Sequence, residues 1–150
     1  MAERTYTSRR MAIVSALGDK LKEIDGTGSY RSNIHNNLLP RLLFWDEVKD
    51  FPAVHVSAGA ETRQYQGGGY KDRFLALTIR VYVQEEDAVF ALEKLFEDIE
   101  TVIEQNSRLS YTDQDGNSQC THQISILSID SDEGALEPYG IGEIVCEVRY

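Results

Sequence analysis

Between Ser8 and about Glu23 the apolar residues Ile13, Val14, Leu17, Leu21 and Ile24 recur at three- and four-residue steps. That spacing gathers them on one face of an amphipathic helix, and Ser8 stands where its hydroxyl can accept from the unpaired backbone N–H groups of the first turn. Asp25-Gly26-Thr27-Gly28-Ser29 comes next, with two glycines suited to the left-handed conformation that stops a helix. Past a loop, Ser32 to Asn36 reads as a short strand. Between Pro40 and Pro52, Asp46 is placed to cap a short helical turn. The period then changes. Ala53 to Gly59 and Phe74 to Val83 alternate with β-branched residues, as strands do. Between them Tyr65-Gln66-Gly67-Gly68-Gly69-Tyr70 supplies a hairpin tip, because positive φ costs glycine little.

If both runs stay paired to the tip, strands of about 12 to 15 residues reach roughly 40 to 50 Å. The outer half of this arm, Glu61 to Tyr65 with Tyr70 to Arg73, is polar and aromatic and has little to bury in its own core, so it is expected either to swing free or to touch a partner. Glu85-Glu86-Asp87 then caps a second helix running to about Gln105, with Val89, Leu92, Leu95, Phe96, Ile99, Val102 and Ile103 as its apolar stripe. Asp113-Gln114-Asp115-Gly116-Asn117 is a turn cluster, Cys120 to Ile129 reads as one strand, and Ile141 to Arg149 as the last. The expectation is an α+β fold: a mainly antiparallel sheet with a long β-hairpin arm, packed by two α-helices on one face. One domain spans residues 1–150, without internal repeats.

The chain has 150 residues, 41% hydrophobic and 27% charged, and a formal net charge of -10. About two-thirds of the unfolded surface of a chain this long can be buried, enough for one core. The acidic balance disfavours general attraction to nucleic acid or anionic lipid. No apolar run approaches the roughly 18 residues of a membrane span, and Met1-Ala2-Glu3-Arg4 lacks the apolar core of a signal peptide, so a cytosolic start is expected. Cys120 and Cys146 both fall in expected strands and read as buried free thiols.

Catalytic patterns are scarce. Gly67-Gly68-Gly69 runs into Tyr70-Lys71-Asp72, not the Gly-Lys-Ser/Thr that would open a phosphate-binding helix. Asp113, Asp115 and Asn117 have calcium-loop spacing, but the twelfth place, which needs a bidentate Glu, is Ile124, so a plain turn is expected. His35, His55 and His122 are isolated from one another and read as sheet residues, and no nucleophile elbow is present. No enzyme activity, cofactor or metal is expected. Glu93, Glu97, Glu100 and Glu104 step by four, three and four along one helix face, where Lys94 can offset only Asp98. This is a solvated face or a docking stripe for a basic surface. Tyr65, Tyr70, Tyr139 and Tyr150 sit near turns or ends, where tyrosine suits a protein contact.

Taken together, several passages resemble the tail terminator (tail completion) proteins of long-tailed bacteriophages, the family that includes the minor tail protein U type. They are the helix around Ile13 to Leu21, the stretch Phe51-Pro52-Ala53-Val54-His55-Val56-Ser57-Ala58-Gly59-Ala60-Glu61, the glycine turn, and Leu77-Thr78-Ile79-Arg80-Val81-Tyr82-Val83. The helix Leu92 to Ile103 and the closing stretch from Leu136-Glu137-Pro138-Tyr139 to Tyr150 complete the likeness. The resemblance implies a structural subunit that forms a ring, typically a hexamer, on the last ring of a tail tube at the head-proximal end of the virion. It would be assembled in the host cytoplasm, stop polymerisation, and offer a surface to neck and head-completion proteins while DNA passes through the lumen without specific binding. The family has no catalytic residues to carry over. The interface residues expected on this reading are Arg63, Tyr65, Gln66, Tyr70 and Lys71 on the arm and Tyr139 near the last strand. Two other readings stand beside it. One is a neck or head-completion protein of the same virion; the other is a small ligand-binding or enzymatic domain in which His55, His122, Asp130, Asp132 and Glu133 converge on a pocket.

Overall fold

Helix α1 spans Arg9–Leu21, and the Ser8 hydroxyl accepts the Met11 N–H at 3.2 Å, the cap its sequence calls for. The computed structural model describes residues 8–150, so the expectation drawn from Met1 to Arg4 lies outside the described residues. Lys22 remains right-handed and its N–H reaches the Gly18 carbonyl at 3.1 Å, ending the helix before the glycines are reached. Gly26 and Gly28, with φ of 79° and 63°, instead turn the following loop. The strand expected over Ser32 to Asn36 is absent; an isolated bridge, Asp25 to Asn33, is all that forms. Side chains take up much of its backbone: the Asp98 carboxylate accepts from the N–H groups of Arg31 and Ser32, and Asn33 from His35, while the Ile34 N–H turns back to the Ile24 carbonyl. His35 and Asn36 are left-handed, at φ 52° and 57°, which no strand allows.

A 3-10 turn at Trp45–Glu47 follows, and Glu47 rather than Asp46 caps it, its carboxylate accepting the Phe44 N–H at 3.1 Å. The hairpin forms as expected: β1 covers Ala53–Tyr65, β2 covers Lys71–Gln84, and a one-turn 3-10 segment at Gly67–Gly69 joins them. Pairing is regular except between Ala58 and Glu61, where β1 carries a bulge. Helix α2 spans Ala88–Gln105, with the Asp87 side chain accepting the Phe90 N–H.

The expected Cys120 to Ile129 strand is divided in two. Strands β3 (Ser110–Thr112) and β4 (Ser118–Cys120) make a small separate hairpin, and β5 (Gln123–Ser131) begins only after Thr121. Buried Thr121 causes the break: its hydroxyl donates to the Ser107 carbonyl and accepts the Leu109 N–H, pulling the chain off a straight course. The chain closes with β6, Tyr139–Arg149, and the main sheet runs β1-β2-β6-β5 with every neighbour antiparallel.

Both helices lie on one face of this sheet. Ile13, Leu17 and Leu21 of α1 and Leu92, Leu95 and Ile99 of α2 share a core with Val54, Leu77, Ile79, Ile144 and Val148. Each such side chain contributes about 1.5–3 kcal/mol on burial. Helix α2 approaches β6 so closely that a Cβ at Gly142 would stand 2.4 Å from Phe96 Cζ. The α2 stripe is as read except at its start: Val89 is exposed, and Ala88 and Ala91 are buried instead. Asp98 is buried too, committed to the loop at Arg31, while Lys94 lies over the Phe90 ring at 5.0 Å. The expected Lys94–Asp98 offset is therefore not made. On the opposite face a smaller cluster joins Val48, Ala53 and Tyr82 to Leu43, Trp45 and Phe51.

Candidate assembly interface

The arm can be built from its register. Strand β6 accompanies β2 as far as Phe74, opposite Arg149, and the Tyr150 N–H donates to the Arg73 carbonyl at 3.1 Å. Beyond that point β1 and β2 continue alone through Arg63↔Arg73, Gln64↔Asp72 and Tyr65↔Lys71. The strands are 13 and 14 residues long, yet the unshared part is only these rungs and the tip, roughly 10–15 Å. Gly68 and Gly69 take φ of 78° and 84°, and the Gln66 N–H closes the turn on the Tyr70 carbonyl at 2.7 Å.

Alternation gives the arm two unlike faces. Buried Leu75 lies opposite Glu61, so Arg63, Arg73, Tyr65 and Lys71, two and four places further out, fall on the helix side of the sheet. There the Lys71 ammonium stands 5.9 Å from the Tyr65 ring centroid. Gln64 and Asp72 take the other side, where Arg149 reaches Asp72 at 3.0 Å and Gln66 donates to it at 3.3 Å. Tyr65 and Tyr70 are 72% and 75% exposed.

At the base of the arm the side chains interlock. The Tyr150 hydroxyl donates to one oxygen of Glu61, and Arg63 Nε donates to the other at 2.6 Å. Burial pushes the Glu61 carboxyl up, but the bonds from Tyr150 and Arg63 and the charges of Arg63 and Arg10 outweigh it and hold the group below its usual range. Burial, then the Glu61 contact, raises the Tyr150 phenol to about 12. Arg9 and Arg73 lie 5.1 and 5.4 Å from the Tyr150 ring, Arg9 also donates to the Tyr111 hydroxyl at 2.9 Å, and Arg10 donates to the Gly59 carbonyl. Tyr150, read as a contact residue because it ends the chain, is thus buried.

Arg63, Tyr65, Gln66, Tyr70 and Lys71 are gathered on this one projection. Tyr139 is not with them: it pairs with Gln84 at the far end of the sheet and packs against Trp45 and Phe51 at 5.1 and 5.8 Å. Glu61, Arg73, Arg9, Arg10 and Tyr150 escaped the sequence reading as a group. One signal was available, the Arg9-Arg10 pair in the first turn of α1, where the helix dipole favours acids.

The pocket reading does not survive the topology. His55, Arg80, Glu143 and Asp130 form one row across the outer face of the sheet, which separates His55 from Asp130 by two intervening strands, about 14 Å. Arg80 and Glu143 face each other at 3.7 Å in the middle of that row, and His122 lies beside Arg149, towards the arm. Burial, then Arg80, pushes the His55 imidazole down. The Asp113 turn needs no ion, since its carboxylate accepts from the N–H groups of Asp115 and Asn117 and from the Gln119 amide. Both cysteines are free, but Cys120 is exposed, because the chain leaves the main sheet there; Cys146 is buried.

The polar, aromatic hairpin tip belongs to neither apolar cluster of the body. Residues 7–150 match the family described as Bacteriophage Tail Tube Terminator Protein. The chain is also 39% identical, over 150 aligned residues covering 94% of it and 92% of the relative, to Tail tube terminator protein p142 of Escherichia phage T5. The chain belongs to the tail tube terminator family, a structural family of the phage tail.

Proposed function

We propose that this protein ends a tail tube by closing a ring, expected to hold six copies, on the tube's last layer. The ring stops polymerisation and presents its other surface to the neck or head at the head-proximal end of the tail. Family membership supports the tube as partner. The observation that carries the ring is the arm: a projection with both tyrosines exposed, on a subunit whose sheet ends in edge strands β1 and β5, each covered near its start, by Leu38 at Val54 and by Ser107 at Ile124. Different patches meeting head to tail generate a ring when the rotation closes. The net charge of -10 suits a lumen through which DNA slides without sticking.

Light scattering across a concentration series, with and without purified tail tubes, tests this. A ring of about six, alone or only on tube ends, is the expected outcome. A monomer indifferent to tubes would overturn it. Deleting Gln64 to Tyr70 removes the tip but none of the core, so the variant is expected to fold and to lose assembly.

A further inference from the structure

Among the described residues, the base of the arm carries more positive charge than its one carboxylate neutralises. Arg9, Arg10, Arg63 and Arg73 gather around one carboxylate, Glu61, at the N-terminus of a helix with no acidic residue in its first turn. Arg63 and Arg73 are direct cross-strand partners, where like charges destabilise a sheet. Arg10 Nε and Arg73 Nε are buried without a hydrogen-bond partner, two of three such side-chain atoms among the described residues. A guanidinium cannot shed its proton, so these N–H groups stay charged donors that nothing among the described residues pairs.

The same chain carries the matching surface. Glu93, Glu100 and Glu104 are on the solvent side of α2 and make no ion pair among the described residues; Glu97 pairs with Arg31 at 2.9 Å. At 1.5 Å per residue, Glu93 to Glu104 is a rigid line of carboxylates about 16 Å long, comparable to the unshared part of the arm. A net charge of -10 sets DNA aside as the occupant and leaves an acidic protein surface.

We propose that the arginine-rich helix side of the arm docks on the acidic α2 stripe of a second copy of this chain, so that arm and stripe are the two unlike halves of the ring contact. This rests on the ring reading and names its chemistry. Complementary charge would steer the encounter and fix the register. The test is a charge exchange. The arm variant Arg63→Glu/Lys71→Glu and the stripe variant Glu100→Lys/Glu104→Lys are each expected to need at least about tenfold more protein to assemble than the parent. At the four exchanged positions each variant carries one sign on both arm and stripe, so those positions repel within its own kind. Mixed one to one they pair in alternation, and assembly is expected to return.

Circular dichroism melts establish that each variant is folded. If the arm variant does not fold, the milder Arg63→Gln/Lys71→Gln replaces it, and the stripe variant, altered only on a solvated helix face, still decides the matter. Folded variants that assemble like the parent, or a mixture that fails to recover, would overturn this contact while leaving the ring intact. A parent that never assembles or caps tubes would overturn both. Binding of a fluorescent DNA duplex by the parent at about 0.1 M salt, lost in the arm variant, would assign the arginines to phosphate and also overturn the contact.

Discussion

At one end of the β1–β2 hairpin Val54, Val56, Ile79 and Val81 are no more than 8% exposed; at the other, Tyr65 and Tyr70 exceed 70%. The ladder between these ends is continuous apart from one bulge. Regular pairing alone therefore does not distinguish a core strand from a contact strand. The helix layer does: α1 and α2 cover the inner half, and the arm runs past them. In the inner half apolar burial holds the strands, whereas in the outer half the ladder, the glycine turn, the Glu61 knot and the polar contacts at Asp72 do so.

The contrast breaks most severely at Leu77, which is fully buried. Leu77→Ala is expected to lose about 2–5 kcal/mol, read as a fall in the denaturant midpoint at unchanged slope. A loss below about 1 kcal/mol would show that the inner half is not held by packing. At the junction, Glu61→Gln should lose about 1.5–3 kcal/mol at neutral pH, since it weakens two bonds to a charged acceptor. Because the folded Glu61 carboxyl is held below its unfolded value, its contribution is complete above that value and disappears as pH falls through the folded one. Melts at pH 7 and pH 3 should therefore show the parent's advantage over Glu61→Gln shrinking on acidification; a constant gap would remove Glu61 from this role. Smallest of all, Tyr65→Ala and Tyr70→Ala should change stability by less than about 0.5 kcal/mol while weakening assembly, as measured by sedimentation. A melting shift as large as that of Leu77→Ala would mean the tip packs on its own subunit.

The same contrast explains what the sequence made legible. The helices and the hairpin announce themselves because their signals are local: apolar periodicity in α1 and α2, side-chain caps at Ser8 and Asp87, glycines at the tip. The arm residues Arg63, Tyr65 and Lys71 were legible by elimination, as polar positions in a strand with no core to serve. What stayed hidden depends on partners distant in sequence. Asp98 looked like a surface acid because its acceptors' donors lie some 66 residues away, at Arg31 and Ser32. Tyr150 is buried only because Glu61, Arg9 and Arg73 close over it, and Thr121 divides a strand through bonds to Ser107 and Leu109 that no alternation pattern encodes. Tyr139 starts β6 at the end of the sheet away from the arm, and its packing on Trp45 and Phe51 likewise depends on residues distant in sequence.

The bulge at Ala58 to Glu61 sets how the arm can change over generations. It gives β1 one more residue than β2 without disturbing which face Glu61, Arg63 and Tyr65 occupy, because the register with Leu75, Arg73 and Lys71 resumes beyond it. A bulge bends its strand and increases the local twist. Loss of Ala60 would straighten the arm's departure while leaving Glu61, Arg63 and Tyr65 on their face. Aim and content are thus separable, so one codon can re-point the arm without rewriting the surface it presents.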